Sequence, residues 1–379
     1  MRAHLGLSTA LSCLVACGSG TNPSTGDDPL TAACGRSVSR IGNLIDVAPS
    51  GGDDTRSLQC AIDAAVAAGI PMSVRLAAGT FHTAQLVARD FHGQLMGRGM
   101  LDTLITTTGT PMPVAPAWSK GAPGPGNAWP SLIAFVDGDF RVSDLAIRVP
   151  DEAPTAGWSI SGGPTTRALA HAIVVVGTSA RAGFERVTVA GKNTPSDPIS
   201  GNSVHGAVVF AGLMPGGAPL AGAFEVRSSS FAEVAAGAAA ENLRNAVVSW
   251  IANASERTLV SARLAGLEAT TVAVAANRFQ DGAAGIKVED GCAPGQQLCG
   301  LRDTQLVLAG NQIDGRDGIE ITATFGDGMG CFAVGNDIQA DAADGGVSVW
   351  LGPGTKDCVV ISRAPVRDEG TANRVIALP

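Results

Sequence analysis

Apolar positions in this chain alternate over short segments, and only one stretch repeats at helical spacing. Val74-Arg75-Leu76, Ala172-Ile173-Val174-Val175-Val176, Gly206-Ala207-Val208-Val209-Phe210, Ala246-Val247-Val248-Ser249-Trp250, Gly285-Ile286-Lys287-Val288-Glu289, Gly318-Ile319-Glu320-Ile321-Thr322 and Gly346-Val347-Ser348-Val349-Trp350 each read as a short strand. The last six begin 28 to 40 residues apart. Such a return predicts a solenoid, in which each coil buries its apolar side against the next. On this alignment Ile286 and Val288, Ile319 and Ile321, and Val347 and Val349 point inward and stack. A second strand type ends in a turn at Asn277, Asn311 and Asn336, which predicts an asparagine ladder. An Asn in such a turn also suits a left-handed backbone, so its role is architectural either way.

The helical stretch is residues 53–65, where Leu58, Ile62 and Ala65 share one face. Asp54 or Thr55 offers a cap for its first turn, and Gly69 and Pro71 stop it. Pro111 to Pro130, Thr194 to Asn202 and Met214 to Pro219 interrupt the repeats and predict loops that could wall a groove.

Asp54-Thr55 ahead of Leu58-Gln59-Cys60-Ala61-Ile62-Asp63, then a strand ending Ala78-Gly79-Thr80-Phe81, then Gly97-Arg98-Gly99, resembles the N-terminal region of the pectate lyase superfamily domain. The resemblance is most specific over residues 46–105. It implies an all-β fold, a single-stranded right-handed parallel β-helix with an N-terminal capping helix, and a polysaccharide as partner. These motifs are architectural and carry no catalytic residue. β-Eliminating pectate lyases set a basic residue near a calcium-holding carboxylate cluster, and polygalacturonase-type hydrolases carry several Asp and Gly-His-Gly elements. This chain has only the fragments Val204-His205-Gly206 and Ile286-Lys287-Val288.

Length and composition narrow the picture. The 379 residues are 45% hydrophobic and 16% charged, enough to bury a large core. A net charge of −8 supplies no basic stripe for a phosphate backbone, so nucleic acid is excluded as a partner. No phosphate loop or nucleophile elbow occurs. Arg2 followed by an apolar run from Leu5 to Ala16 reads as an export signal, too short to span a bilayer. Leu14-Val15-Ala16-Cys17 resembles the bacterial lipobox, which implies lipidation of Cys17 and a membrane anchor; an ordinary secretory peptide is the plainer alternative. The organisation expected is a lipoprotein signal peptide at 1–17, a flexible tether at 18–33 and one β-helix domain at 34–379, located in the cell envelope or secreted.

Six cysteines remain after residue 17, an even number that suits disulfides in an exported chain. Sequence neighbours suggest Cys34 with Cys60, Cys292 with Cys299 and Cys331 with Cys358. Zinc is the competing reading, weakened by the absence of any Cys-x-x-Cys.

Candidate chemistry follows from the strand alignment. The residue before each strand gives a column of His171, His205, Asn245 and Asp317, able to supply acid–base or binding groups. A row of polar turn residues is the plainer account. One residue into the strand lie Lys287, Glu320 and Ser348, and the next outward column holds Glu289, Thr322 and Trp350. Lys287 and Glu320 join His171, His205 and Asp317 as catalytic candidates. Glu289 and Asp290 are candidate ligands for Ca²⁺, and Asn245, Trp250 and Trp350 are candidate substrate contacts, with Trp158 a further stacking candidate. A solvated acidic face with a Lys287–Glu320 ion pair is the blander reading of the same residues. The function expected is binding, and cleavage by lyase or hydrolase chemistry, of a polysaccharide on the outer face; the rival is a non-catalytic adhesion or envelope solenoid.

Overall fold

A computed structural model describes residues 29–108, 131–149, 169–192, 204–212, 218–291, 300–341 and 345–379. Cys17 and the signal segment, most of the tether, residues 111–130, Trp158, Cys292 and Cys299 lie outside them. No helix among the described residues is long and apolar enough to cross a membrane.

The chain winds as a parallel β-helix with three sheet faces, A, B and C. In one coil, residues 236–241 run along face A, residues 246–251 along face B and Ala254–Glu256 along face C. The next coil repeats the circuit in parallel register, pairing Ala238 with Ala262, Val248 with Val272 and Ser255 with Phe279. Successive coils are as little as 24 residues apart. A strand that returns through a crossover to pair in parallel with itself does so right-handedly, the hand imposed by strand twist.

Alternation then sorts side chains into core and surface. Ile173, Val208, Ala238, Ala262, Ile286, Ile319 and Val349 occupy one inward column of face A, and all are buried. Phe91, Phe135, Phe140, Phe184, Phe210 and Phe224 form a chain of ring contacts inside the first coils, the closest being Phe135 and Phe140 with centroids 4.0 Å apart. The sharp corner from face B to face C carries the asparagine ladder. Asn277 donates from Nδ2 to Asn311 Oδ1 at 2.9 Å, and Asn311 does the same to Asn336 at 2.9 Å. Asn253 is a further rung, donating to Asn277 Oδ1 at 3.1 Å.

Thr55–Ala67 is the capping helix, with Leu58, Ala61, Ile62 and Ala65 buried against the first coils. Asp54 is its N-cap residue but makes no side-chain cap bond: its carboxylate instead accepts from the backbone N–H of Ser50 and of His82, tying the helix to the first coils. Cys34–Cys60 and Cys331–Cys358 are bonded as the sequence suggests, the second pair lying in register on neighbouring coils.

Two alignments need correction. Ala246 to Trp250 lies on face B, and its place on face A belongs to Ala236 to Glu241. That segment is alanine-rich and lacks the β-branched signature of a strand, so pattern alone passes over it. In the last coil Val349 and Leu351, not Val347 and Val349, stack on Ile319 and Ile321. The chain between Ile319 and its partner Val349 is two residues longer than the alignment allows.

Candidate functional site

Register on face A builds one outward column rung by rung: Val174, Val209, Ala239, Arg263, Lys287, Glu320, Trp350 and Arg367. Its character changes halfway. Val174, Val209 and Ala239 are buried in a small cluster outside the coil, whereas the rungs from Arg263 onward are charged or aromatic and partly open.

Arg263 joins two carboxylates, contacting Glu241 and donating from Nε to Glu289 Oε1 at 2.5 Å. Lys287 Nζ lies 3.5 Å from Glu289 and 4.0 Å from Glu320. Burial alone would raise the Glu289 carboxyl, but the Arg263 charge and hydrogen bond, with Lys287, hold it below the usual range. Glu320 goes the other way: burial raises it, the Lys287 charge only partly offsets this, and the neighbouring Asp317 carboxyl raises it further. Asp317 is itself buried, accepting from Arg316 Nε at 2.8 Å and from the Val347 backbone N–H at 3.0 Å. On the next rung Trp350 carries the Arg367 guanidinium 5.4 Å from its ring centroid and donates from Nε1 to Glu369 at 3.3 Å.

The structure therefore gathers Lys287, Glu289, Asp317, Glu320 and Trp350, and separates the others. His171 and Asp317 share a column but stand five rungs apart, roughly 24 Å at about 4.8 Å per rung. His171 is buried, in register with Gly206, where an added Cβ would come within 2.8 Å of its Nδ1. His205 is one residue out of step with His171, and its side chain lies outside the described residues. Asn245 is an exposed left-handed corner residue (φ 53°) between faces A and B, not a member of the column. Trp250 is buried in the core and offers no face to a ligand, because Ser249 and not Trp250 points outward on face B.

The carboxylates do not fit a calcium site. Glu289 is occupied by Arg263 and Lys287, and Asp290 accepts from the backbone and hydroxyl of Thr324. Among the described residues no three His, Cys, Asp or Glu side chains converge as a metal site would require. Arg263, Glu241 and Arg367 belong to the cluster but escape the sequence reading, since the strands that carry them are short or alanine-rich. Their one readable signal is an Arg flanked by small or apolar residues in Ser261-Ala262-Arg263-Leu264.

A right-handed parallel β-helix carrying a charged ladder on the outer face of one sheet is thus the class to which the molecule belongs. The sequence matches no protein-family profile and no curated protein. Among solved structures it is similar to the enzymatically active domain of tailspike protein 2 from bacteriophage CBA120, at 10% identity and a TM-score of 0.46, covering 87% of this chain but only 44% of that one. A polygalacturonase from Erwinia carotovora ssp. carotovora is 11% identical with a TM-score of 0.46, over 89% of this chain and 95% of that one. A pectin methylesterase from Erwinia chrysanthemi is 12% identical with a TM-score of 0.31, over 90% and 91%.

Proposed function

We propose that the protein binds a polysaccharide along the charged half of face A and cleaves it with Glu320 as the proton donor. The observation that carries this is a half-buried carboxyl kept toward its protonated form by burial and by Asp317, on an open rung between Lys287 and Trp350. A proton donor to a glycosidic oxygen needs that raised affinity for its proton. Asp317 positions it. Trp350, held by Arg367 and Glu369, supplies the apolar face on which a sugar ring stacks.

A second reading, binding without turnover, is favoured by the closed ion-pair network of Glu241, Arg263 and Glu289, which resembles structural cross-bracing. Reducing-sugar release and absorbance of unsaturated products over a panel of neutral and uronate polymers, with and without Ca²⁺, decides between them. The Glu320→Gln variant is expected to lose turnover by about 100-fold or more while retaining binding. Binding with no turnover by the wild-type protein supports the second reading, and unchanged turnover in Glu320→Gln removes Glu320 from the chemistry.

A further inference from the structure

Face B carries a polar groove that the face A site does not use. His92, Asp139 and Arg181 stand on three consecutive rungs, in register, and point outward, all exposed. Ala223 and Val247 continue the column. Beside it Gly183 carries no side chain between Arg141 and Glu225, so a hollow of about 710 Å³ opens over the sheet. A second hollow of about 450 Å³ shares His92, Asp139 and Arg181 and extends toward the corner at Asp137. From Pro71 to Val247 the face spans five steps, roughly 24 Å.

The neighbouring charges are already committed. Arg141 pairs with Glu185 at 3.2 Å, and Arg227 lies 3.0 Å from Glu185 and 3.9 Å from Glu225. No salt bridge or side-chain hydrogen bond ties Asp139 or Arg181 to another group among the described residues. The groove thus presents a carboxylate acceptor and a guanidinium fork about one rung apart, on paired strands, in an open hollow. Such groups pair with successive hydroxyls of an extended ligand. The lining of the two hollows holds four carboxylates (Asp90, Asp137, Asp139 and Glu225) against two guanidiniums (Arg141 and Arg181), a balance that repels a polyanion.

We infer that face B is a second saccharide-binding surface, specific for an extended neutral oligosaccharide, with Asp139 and Arg181 as its hydrogen-bonding pair and Gly183 as its floor. The choice of a sugar rests on the carbohydrate reading of face A; the site itself does not.

The test is calorimetric titration of the full chain with neutral hexasaccharides of the cello-, manno- and galacto- series and with hexagalacturonate. One neutral series is expected to bind, and hexagalacturonate to bind at least tenfold more weakly. Gly183→Ile fills the trough at a position where an added Cβ meets only the Arg141 side chain, at 3.6 and 3.9 Å, so the fold tolerates it. It is expected to weaken binding tenfold or more with an unchanged melting temperature. Arg181→Gln, an exposed change that spares the backbone, provides the same readout if Gly183→Ile misfolds. Trp350→Ala, which removes the stacking face on face A, is expected to leave this binding unchanged. Absence of binding by all neutral series, preference for hexagalacturonate, or full affinity in both Gly183→Ile and Arg181→Gln overturns the inference. Loss of binding in Trp350→Ala overturns it too, by placing the sugar on face A, whereas lack of turnover on polymers with this binding intact counts only against face A.

Discussion

Glu320 illustrates how one side chain records its surroundings in its proton affinity. Burial and the Asp317 carboxyl raise it above the usual carboxylate range. A raised folded-state value means the favourable contribution is complete at pH below the unfolded carboxylate range and is lost as pH rises through the folded value. Glu320→Gln, which fixes the neutral form, should therefore melt above the wild type at pH 7, with the difference vanishing near pH 3; thermal melts across that range check it. Glu289 has the opposite sign: held low by Arg263, it stabilises above the ordinary range and loses that contribution as pH falls through its lowered value. Arg263→Met should thus cost about 1–3 kcal/mol at neutral pH, where two half-buried carboxylates lose their partner, and distinctly less in acid, as urea titrations at the two pH values would show. Lys287, Glu320 and Trp350 were legible from alternation, because Ile-Glu-Ile leaves no doubt about which residue faces out. The effect of Asp317 on Glu320 was not, since a turn residue's direction depends on backbone bends that alternation does not encode. Trp250 failed for a related reason: assigned to the wrong face, its strand had inside and outside exchanged.

The corner between faces B and C shows how a repeated element sets stability. Asn277 Oδ1 accepts from the backbone and side chain of Asn253, while its Nδ2 donates to the Trp250 carbonyl and to Asn311. Asn277→Ala would strand buried groups on both neighbouring coils, and the expected loss is about 3 kcal/mol, read by denaturant unfolding, from a penalty of ~1–3 kcal/mol per unsatisfied group. Three rungs of this ladder were visible in sequence; Asn253 was hidden by the misplaced strand before it. The capping helix was fully visible, because Leu58, Ile62 and Ala65 recur at helical spacing whatever the rest of the chain does. Its cap was not, since Asp54 spends its carboxylate on the backbone N–H groups of Ser50 and His82.

Stacked coils touch only their neighbours, so stability is distributed along the axis and not pooled in one core. The first coils share a continuous aromatic interior from Phe91 to Phe224. The last coils, from residue 305 onward, have an interior led by Leu306, Leu308, Ile319, Ile321, Val349 and Val360, closed by the Cys331–Cys358 bridge between adjacent rungs. That bridge spans 27 residues and contributes about 3 kcal/mol by restricting the unfolded chain. In a cooperative globule its loss would weaken every part equally. In a nearest-neighbour solenoid it should weaken the coils that it joins and leave distant ones untouched. The double variant Cys331→Ser/Cys358→Ser is therefore expected to exchange its backbone amides roughly 100-fold faster across residues 305–379, about 3 kcal/mol at ~1.4 kcal/mol per decade, with residues 131–148 unchanged. A uniform acceleration over the whole chain would show that the coils unfold as one, and the independence of the two outer faces would then need a different physical basis.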